Sequence, residues 1–222
     1  MGGGGFSMEP ENPLLDDWIL SLTDRDRPSV CFLPTASGDA EGYIENFYAA
    51  FTPRDCSAAH LSLFRRTVSD LRAFVLAQDL IYVGGGNTAN MLAIWRVHGL
   101  DLVLREAWEA GVILAGLSAG SLCWFSAGVT DSFGEGLAPL RDGLGLLPSS
   151  HCPHYDGEAL RRPRYQELIR TGALPPGLAA DDGVALRFSG TELTDVVSSR
   201  PSARGWRVTA DGDEELSTLY LG

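Results

Sequence analysis

Apolar runs and amphipathic stretches alternate along the first half of this 222-residue chain. Ser29 to Pro34 (SVCFLP) is a continuous apolar run of strand length, and Gly42 to Phe51 has helical spacing. Ala58 to Leu63 reads as a weaker strand and Thr67 to Ala77 as a helix. Leu80 to Val83 is a short strand that ends in Gly84-Gly85-Gly86-Asn87. Helices over Thr88 to Val97 and Leu102 to Ala110, broken around His98-Gly99, lead to another buried strand, Val112 to Leu117 (VILAGL). Ser118 follows it directly. Strands that are apolar throughout, separated by amphipathic helices, belong to a parallel sheet covered on both faces. The expected fold class is therefore α/β, a doubly wound, mostly parallel sheet with helices on both faces.

The C-terminal third has a different pattern. Gly183 to Phe188, Thr194 to Val197 and Trp206 to Thr209 read as short strands with turns between them, and Leu216 to Leu221 closes the series. Antiparallel additions at one sheet edge suit this pattern. No repeat, low-complexity tract or flexible linker interrupts the chain, so residues 1–222 are expected to form a single domain. At the other end, Gly2 to Gly5 would make a good loop after a first strand, yet only Met1 precedes it. Either that strand lies upstream or the sheet does without it. A glycine loop without a preceding strand is a poor nucleotide site.

Composition narrows the function classes. The formal net charge is −12, and all 17 basic residues are arginine. Such a surface repels phosphate backbones, so no nucleic-acid partner is expected. An acidic substrate would need a local arginine to offset the field. No run approaches the roughly 18–20 apolar residues of a membrane span, and no secretion signal is visible, so the expectation is a cytoplasmic protein with no membrane partner. Cys31, Cys56, Cys123 and Cys152 fit neither a zinc module nor a disulfide framework, and read as reduced structural thiols.

The sharpest chemical signal is Gly116-Leu117-Ser118-Ala119-Gly120, a G-x-S-x-G between a buried strand and a helix. This is the context of a nucleophile elbow, in which flanking glycines permit a tight turn and the serine projects from it. A serine needs a base. His60 and His98 read as structural, whereas His151 and His154 in Ser150-His151-Cys152-Pro153-His154-Tyr155 lie downstream in a loop at a strand end. Residue chemistry alone does not choose between those two. The base in turn needs a carboxylate, for which Asp131, Asp156, Asp181 and Asp182 are candidates. The amides of Ala119 and Gly86 are candidate donors to a developing oxyanion. The His-Cys-x-His cluster lacks a third ligand group, and nothing calls for a metal or organic cofactor.

Tyr82-Val83-Gly84-Gly85-Gly86-Asn87-Thr88, then the Ser118 motif, then Cys152-Pro153-His154-Tyr155 resemble, in order and spacing, the pattern of peptidase E and its relatives in peptidase family S51. The resemblance spans roughly residues 29 to 190. It implies a fold similar to class I glutamine amidotransferases, with serine in place of their cysteine. It favours His154 as base, gives Gly86 and Ala119 the oxyanion role, and maps the relay acid to Asp182, with Asp131 as the alternative. The family's dipeptidases often carry glutamate where this chain has Asp182. Peptidase E cleaves dipeptides with N-terminal aspartate, and Arg161 matches the arginine that binds the substrate carboxylate, a task suited to its bidentate fork. Asn87 is the second substrate-binding residue implied. The expected partner is thus a small peptide, and a homodimer is compatible with the resemblance. A cyanophycinase-like enzyme, another acyl hydrolase or a non-catalytic binding module on the same fold are the alternatives.

Overall fold

The computed structural model describes all of residues 1–222. In chain order the elements are α1 (Gly5–Met8), α2 (Leu14–Ser21), β1 (Ser29–Leu33), α3 (Glu41–Phe51), β2 (Ser57–His60), α4 (Leu71–Leu76), β3 (Leu80–Val83), α5 (Thr88–His98), α6 (Leu100–Glu109) and β4 (Ile113–Gly116). There follow α7 (Ala119–Leu122), β5 (Phe125–Thr130), β6 (Ala138–Leu140), β7 (Leu147–Cys152), α8 (Arg161–Arg170), β8 (Gly177–Ala180), β9 (Val184–Ser189), β10 (Glu192–Ser198), β11 (Gly205–Thr209), β12 (Gly212–Leu216) and β13 (Leu219–Tyr220).

The expected parallel sheet is present, with strand order β2-β1-β3-β4 and every pairing parallel. Successive strand residues face opposite sides, so each apolar run serves two cores. Cys31, Leu33, Ile81 and Val83 face one layer, with Val75 of α4, Trp95 of α5 and Leu104 of α6. Val30, Phe32, Leu80 and Tyr82 face the other, with Phe6 of α1, Leu15 of α2 and Phe47 and Phe51 of α3. Helices therefore cover both faces. The helix starts and stops have local causes. The Asp70 carboxylate accepts from Ala73 N–H to begin α4, and Asn87 Oδ1 does the same for Asn90 N–H in α5. Gly99, left-handed at φ 68°, ends α5 and makes the expected break before α6.

The second half is more elaborate than the sequence pattern suggests. A six-stranded sheet has the order β12-β11-β8-β7-β5-β6, in which β5, β7 and β8 run parallel and the flanking strands antiparallel. A third sheet has the order β13-β10-β9. The antiparallel additions thus fall in two sheets rather than along one edge, and His151 belongs to β7 rather than to a loop. Strands such as LPSSHC and GLAA carry too many small or polar residues to stand out by pattern.

Candidate active site

Ser118 follows β4 at the carboxyl edge of the parallel sheet, with φ 54° and ψ −118°. A side chain in such a conformation costs about 1–3 kcal/mol and persists only where its surroundings impose it. Here they do. A Cβ on Gly116 would lie 2.2 Å from Gly120 O, and one on Gly120 would lie 2.2 Å from Val83 O. The turn closes only because both flanking positions lack side chains. Ser121 and Leu122 N–H both donate to Ser118 O, at 3.0 and 2.9 Å, which starts α7 at Ala119. The first amides of a helix have no intrahelical acceptor, and Ala119 provides the first of them.

Across from the serine lies the loop after β3. A Cβ on Gly85 would come within 3.3 Å of Ser118 Cβ and 3.8 Å of its Oγ, so only glycine leaves that approach open. Gly85 N–H donates to Tyr43 Oη at 3.1 Å. Gly86, at φ 137°, is exposed, and a side chain there would strike Ala36 O.

The base and acid come from the six-stranded sheet. His154 follows β7 at φ 53°, and its Nδ1 lies 2.6 Å from Oδ1 of Asp182, which follows β8. Asp182 is buried between two glycines: a Cβ on Gly3 would be 2.2 Å from Oδ1, and one on Gly157 2.4 Å from Oδ2. Asp156 accepts from Asp182 N–H at 2.8 Å and fixes its backbone. Burial alone would raise the Asp182 pKa, but the His154 hydrogen bond and charge, with Arg200 and Arg161, hold it below its ordinary value. With Nδ1 engaged, His154 Nε2 is the nitrogen free to act. Ser118 Oγ is not hydrogen-bonded to it in this structure, and bonds of this kind tighten when substrate binds.

Other candidates sit elsewhere. His151 is buried, stacked on Phe125 at 4.5 Å, with Nδ1 3.0 Å from Leu178 O and Nε2 3.1 Å from Ser121 Oγ. Burial lowers its pKa to about 3, so it stays neutral and both nitrogens serve packing. Asp181 accepts from Arg204 N–H and Trp206 Nε1 and belongs to the fold. Asp131 does not approach His154; its carboxylate is exposed and lies 3.9 Å from Arg161. The carboxylate in contact with His154 is that of Asp182.

The two residues expected to hold substrate are otherwise engaged. Arg161 is only 5% exposed, and its Nε and Nη2 donate to Glu158 at 2.7 and 3.2 Å. Asn87 caps α5 through Oδ1, and its Nδ2 donates to Ser132 O at 3.1 Å, tying the glycine loop to the segment after β5. Sequence reasoning missed Gly3, Gly157, Tyr43 and Ser132. Only Gly3 carried a signal, the unexplained run of four glycines at the start.

Comparison with known proteins shows the family to which the chain belongs. The family model of peptidase family S51 matches residues 1–196. The chain belongs to that family and is thus a member of a peptidase family. It is 56% identical over 226 residues to YgaJ of Bacillus subtilis strain 168, described as an uncharacterized peptidase, covering 100% of this chain and 97% of that one. It is 35% identical over 135 residues to peptidase E of Shewanella amazonensis, covering 57% of each. The crystal structure of a peptidase from an acI-B1 Actinobacterium aligns over 98% of this chain and 92% of its own with a TM-score of 0.68. Its 21% identity speaks to the fold alone.

Proposed function

We propose that the protein is a serine peptidase that hydrolyses short peptides by acyl transfer. The observation that carries this reading is the 2.6 Å contact between His154 and Asp182, together with a strained serine elbow. In the reaction, Ser118 Oγ attacks the scissile carbonyl carbon while His154 Nε2 takes its proton. Asp182 holds the ring through Nδ1 and stabilises the imidazolium. The Ala119 and Gly86 amides donate to the oxyanion. Collapse breaks the C–N bond, and His154 returns the proton to the leaving amine. Water then releases the acyl group by the same steps in reverse order.

N-terminal aspartate is the specific substrate implied by the likeness to peptidase E. For Arg161 to select it, the guanidinium must exchange Glu158 for the substrate carboxylate. A panel of dipeptides differing at the first residue tests this reading. Hydrolysis is expected to fall by at least about 10⁴-fold in Ser118→Ala with the fold unchanged. Retained turnover in that variant sinks the mechanism. A preference for Asp-Xaa that survives Arg161→Ala sinks the specificity but leaves the mechanism standing.

A further inference from the structure

Gly85 and Gly86 share a peptide unit that nothing local holds in place. Neither has a Cβ, and glycine adopts positive and negative φ about equally readily. The unit between them can therefore turn over and exchange its N–H for its C=O. It carries the Gly86 amide, one of the two donors given to the oxyanion above, with Gly86 at φ 137°. Turned over, it would put a carbonyl lone pair where the donor stood.

The neighbouring units are held. Gly84 N–H donates to Leu33 O at 3.1 Å and Asn87 N–H to Ala36 O at 2.8 Å, both main-chain acceptors from β1 and the turn after it. Gly85 N–H donates to Tyr43 Oη at 3.1 Å, the one side-chain acceptor among them. Gly86 N–H donates to no group of the protein. Of the four amides from Gly84 to Asn87, three are thus consumed in fixing the loop, and the one left free is the one the reaction needs.

Tyr43 is well placed for this contact. It lies in the first turn of α3, with its ring against Phe32 and Phe6 at centroid distances of 5.0 and 5.7 Å. A Cβ on Gly84 would fall 2.8 Å from its Cε1, so the loop closes on the ring as well as on the hydroxyl. Burial raises its pKa, which keeps the acceptor a neutral hydroxyl. A carboxylate could accept the same bond, but it would bring negative charge to a loop that must stabilise negative charge.

We infer that Tyr43 is a positioning residue for the oxyanion: by accepting from Gly85 N–H, its hydroxyl locks the Gly84–Gly85 peptide and so keeps the Gly86 N–H available to the substrate oxygen. This rests on the acyl-transfer reading of the site. Tyr43 acts through the two glycines and touches no reacting atom.

The test is Tyr43→Phe, which removes the acceptor and keeps the ring. Tyr48→Phe is the comparison, because Tyr48 lies on the same helix and its hydroxyl is also hydrogen-bonded, to His60 Nδ1 at 2.8 Å rather than to the loop. Dipeptide kinetics, the rate of fluorophosphonate labelling at Ser118 and hydrogen exchange of the Gly85 amide are measured in the native protein and both variants. The temperature is one at which circular dichroism shows all three folded. Tyr43→Phe is expected to lower kcat and the labelling rate at least about tenfold, part of the roughly 10²–10³-fold cost of deleting an oxyanion donor outright. KM should stay nearly unchanged, Gly85 exchange should quicken, and Tyr48→Phe should do none of this. Native kcat or unchanged Gly85 exchange in Tyr43→Phe, or an equal loss in Tyr48→Phe, overturns the inference and leaves the serine mechanism standing. A native protein that neither hydrolyses dipeptides nor labels at Ser118 removes the mechanism, and the positioning role with it.

Discussion

At the residue scale, the site depends on positions where a side chain is forbidden as much as on those where one acts. Ser118 holds a conformation hostile to side chains because Gly116 and Gly120 let the chain turn within contact of Val83 O. Gly120→Ala is expected to cost about 1–3 kcal/mol or more, read by urea denaturation, because the obstructing atom is backbone and has nowhere to move. Asp182→Asn is expected to leave folding intact and lower kcat by about 10⁴-fold, the scale for losing the carboxylate that sets the histidine tautomer. Its pH signature has a definite sign. The Asp182 pKa is lowered in the folded state, so its contribution is present above the unfolded value near 3.9 and is lost as pH falls below that. Acid unfolding of the Asn variant should lack that component.

At the scale of elements, the first half was legible because each strand is buried on both sides and must be apolar at every position. SVCFL and LIYV announce themselves for that reason. The strands β5 to β8 did not, because Ser150 and His151 are accommodated by specific partners that no periodicity encodes. The Ser118 motif and the Cys-Pro-His-Tyr segment were legible as chemistry. The ranking of Asp182 ahead of Asp131 comes from the family likeness and not from residue pattern, whereas the engagement of Arg161 by Glu158 depends on which loops meet and was not legible. Element packing also buries a carboxylate with no sequence signal. Asp16 on α2 accepts from Tyr82 Oη at 3.1 Å, and burial, partly offset by Arg54, pushes its pKa up to about 6. Between roughly pH 4 and 6 the folded chain keeps a proton that the unfolded chain has lost, so this group makes stability fall as pH rises through that window. Asp16→Asn is expected to remove that fall. Urea melts of both proteins at pH 4, 5, 6 and 7 measure the difference, and parallel profiles would contradict the account.

At the scale of the whole molecule, the site is a junction of sheets. The four-stranded sheet supplies Ser118 and the Gly84–Gly86 loop, the six-stranded sheet supplies His154 and Asp182, and Met1–Gly3 is hydrogen-bonded to both sides. Two residues span about 7 Å at most, so this short segment ties the elbow closely to the His–Asp pair. Gly3→Ala would place a methyl carbon 2.2 Å from Asp182 Oδ1 and 3.0 Å from His154 Cε1. It is expected to lower kcat at least tenfold while KM changes little, as peptide kinetics would show. The most direct test of the central claim is the rate at which a fluorophosphonate probe modifies Ser118, followed by peptide mass spectrometry, in the native protein and in His154→Ala. The account predicts stoichiometric labelling at Ser118 in the native protein and loss of it in the variant. Labelling that is absent from Ser118, or equally fast without the imidazole, would contradict it.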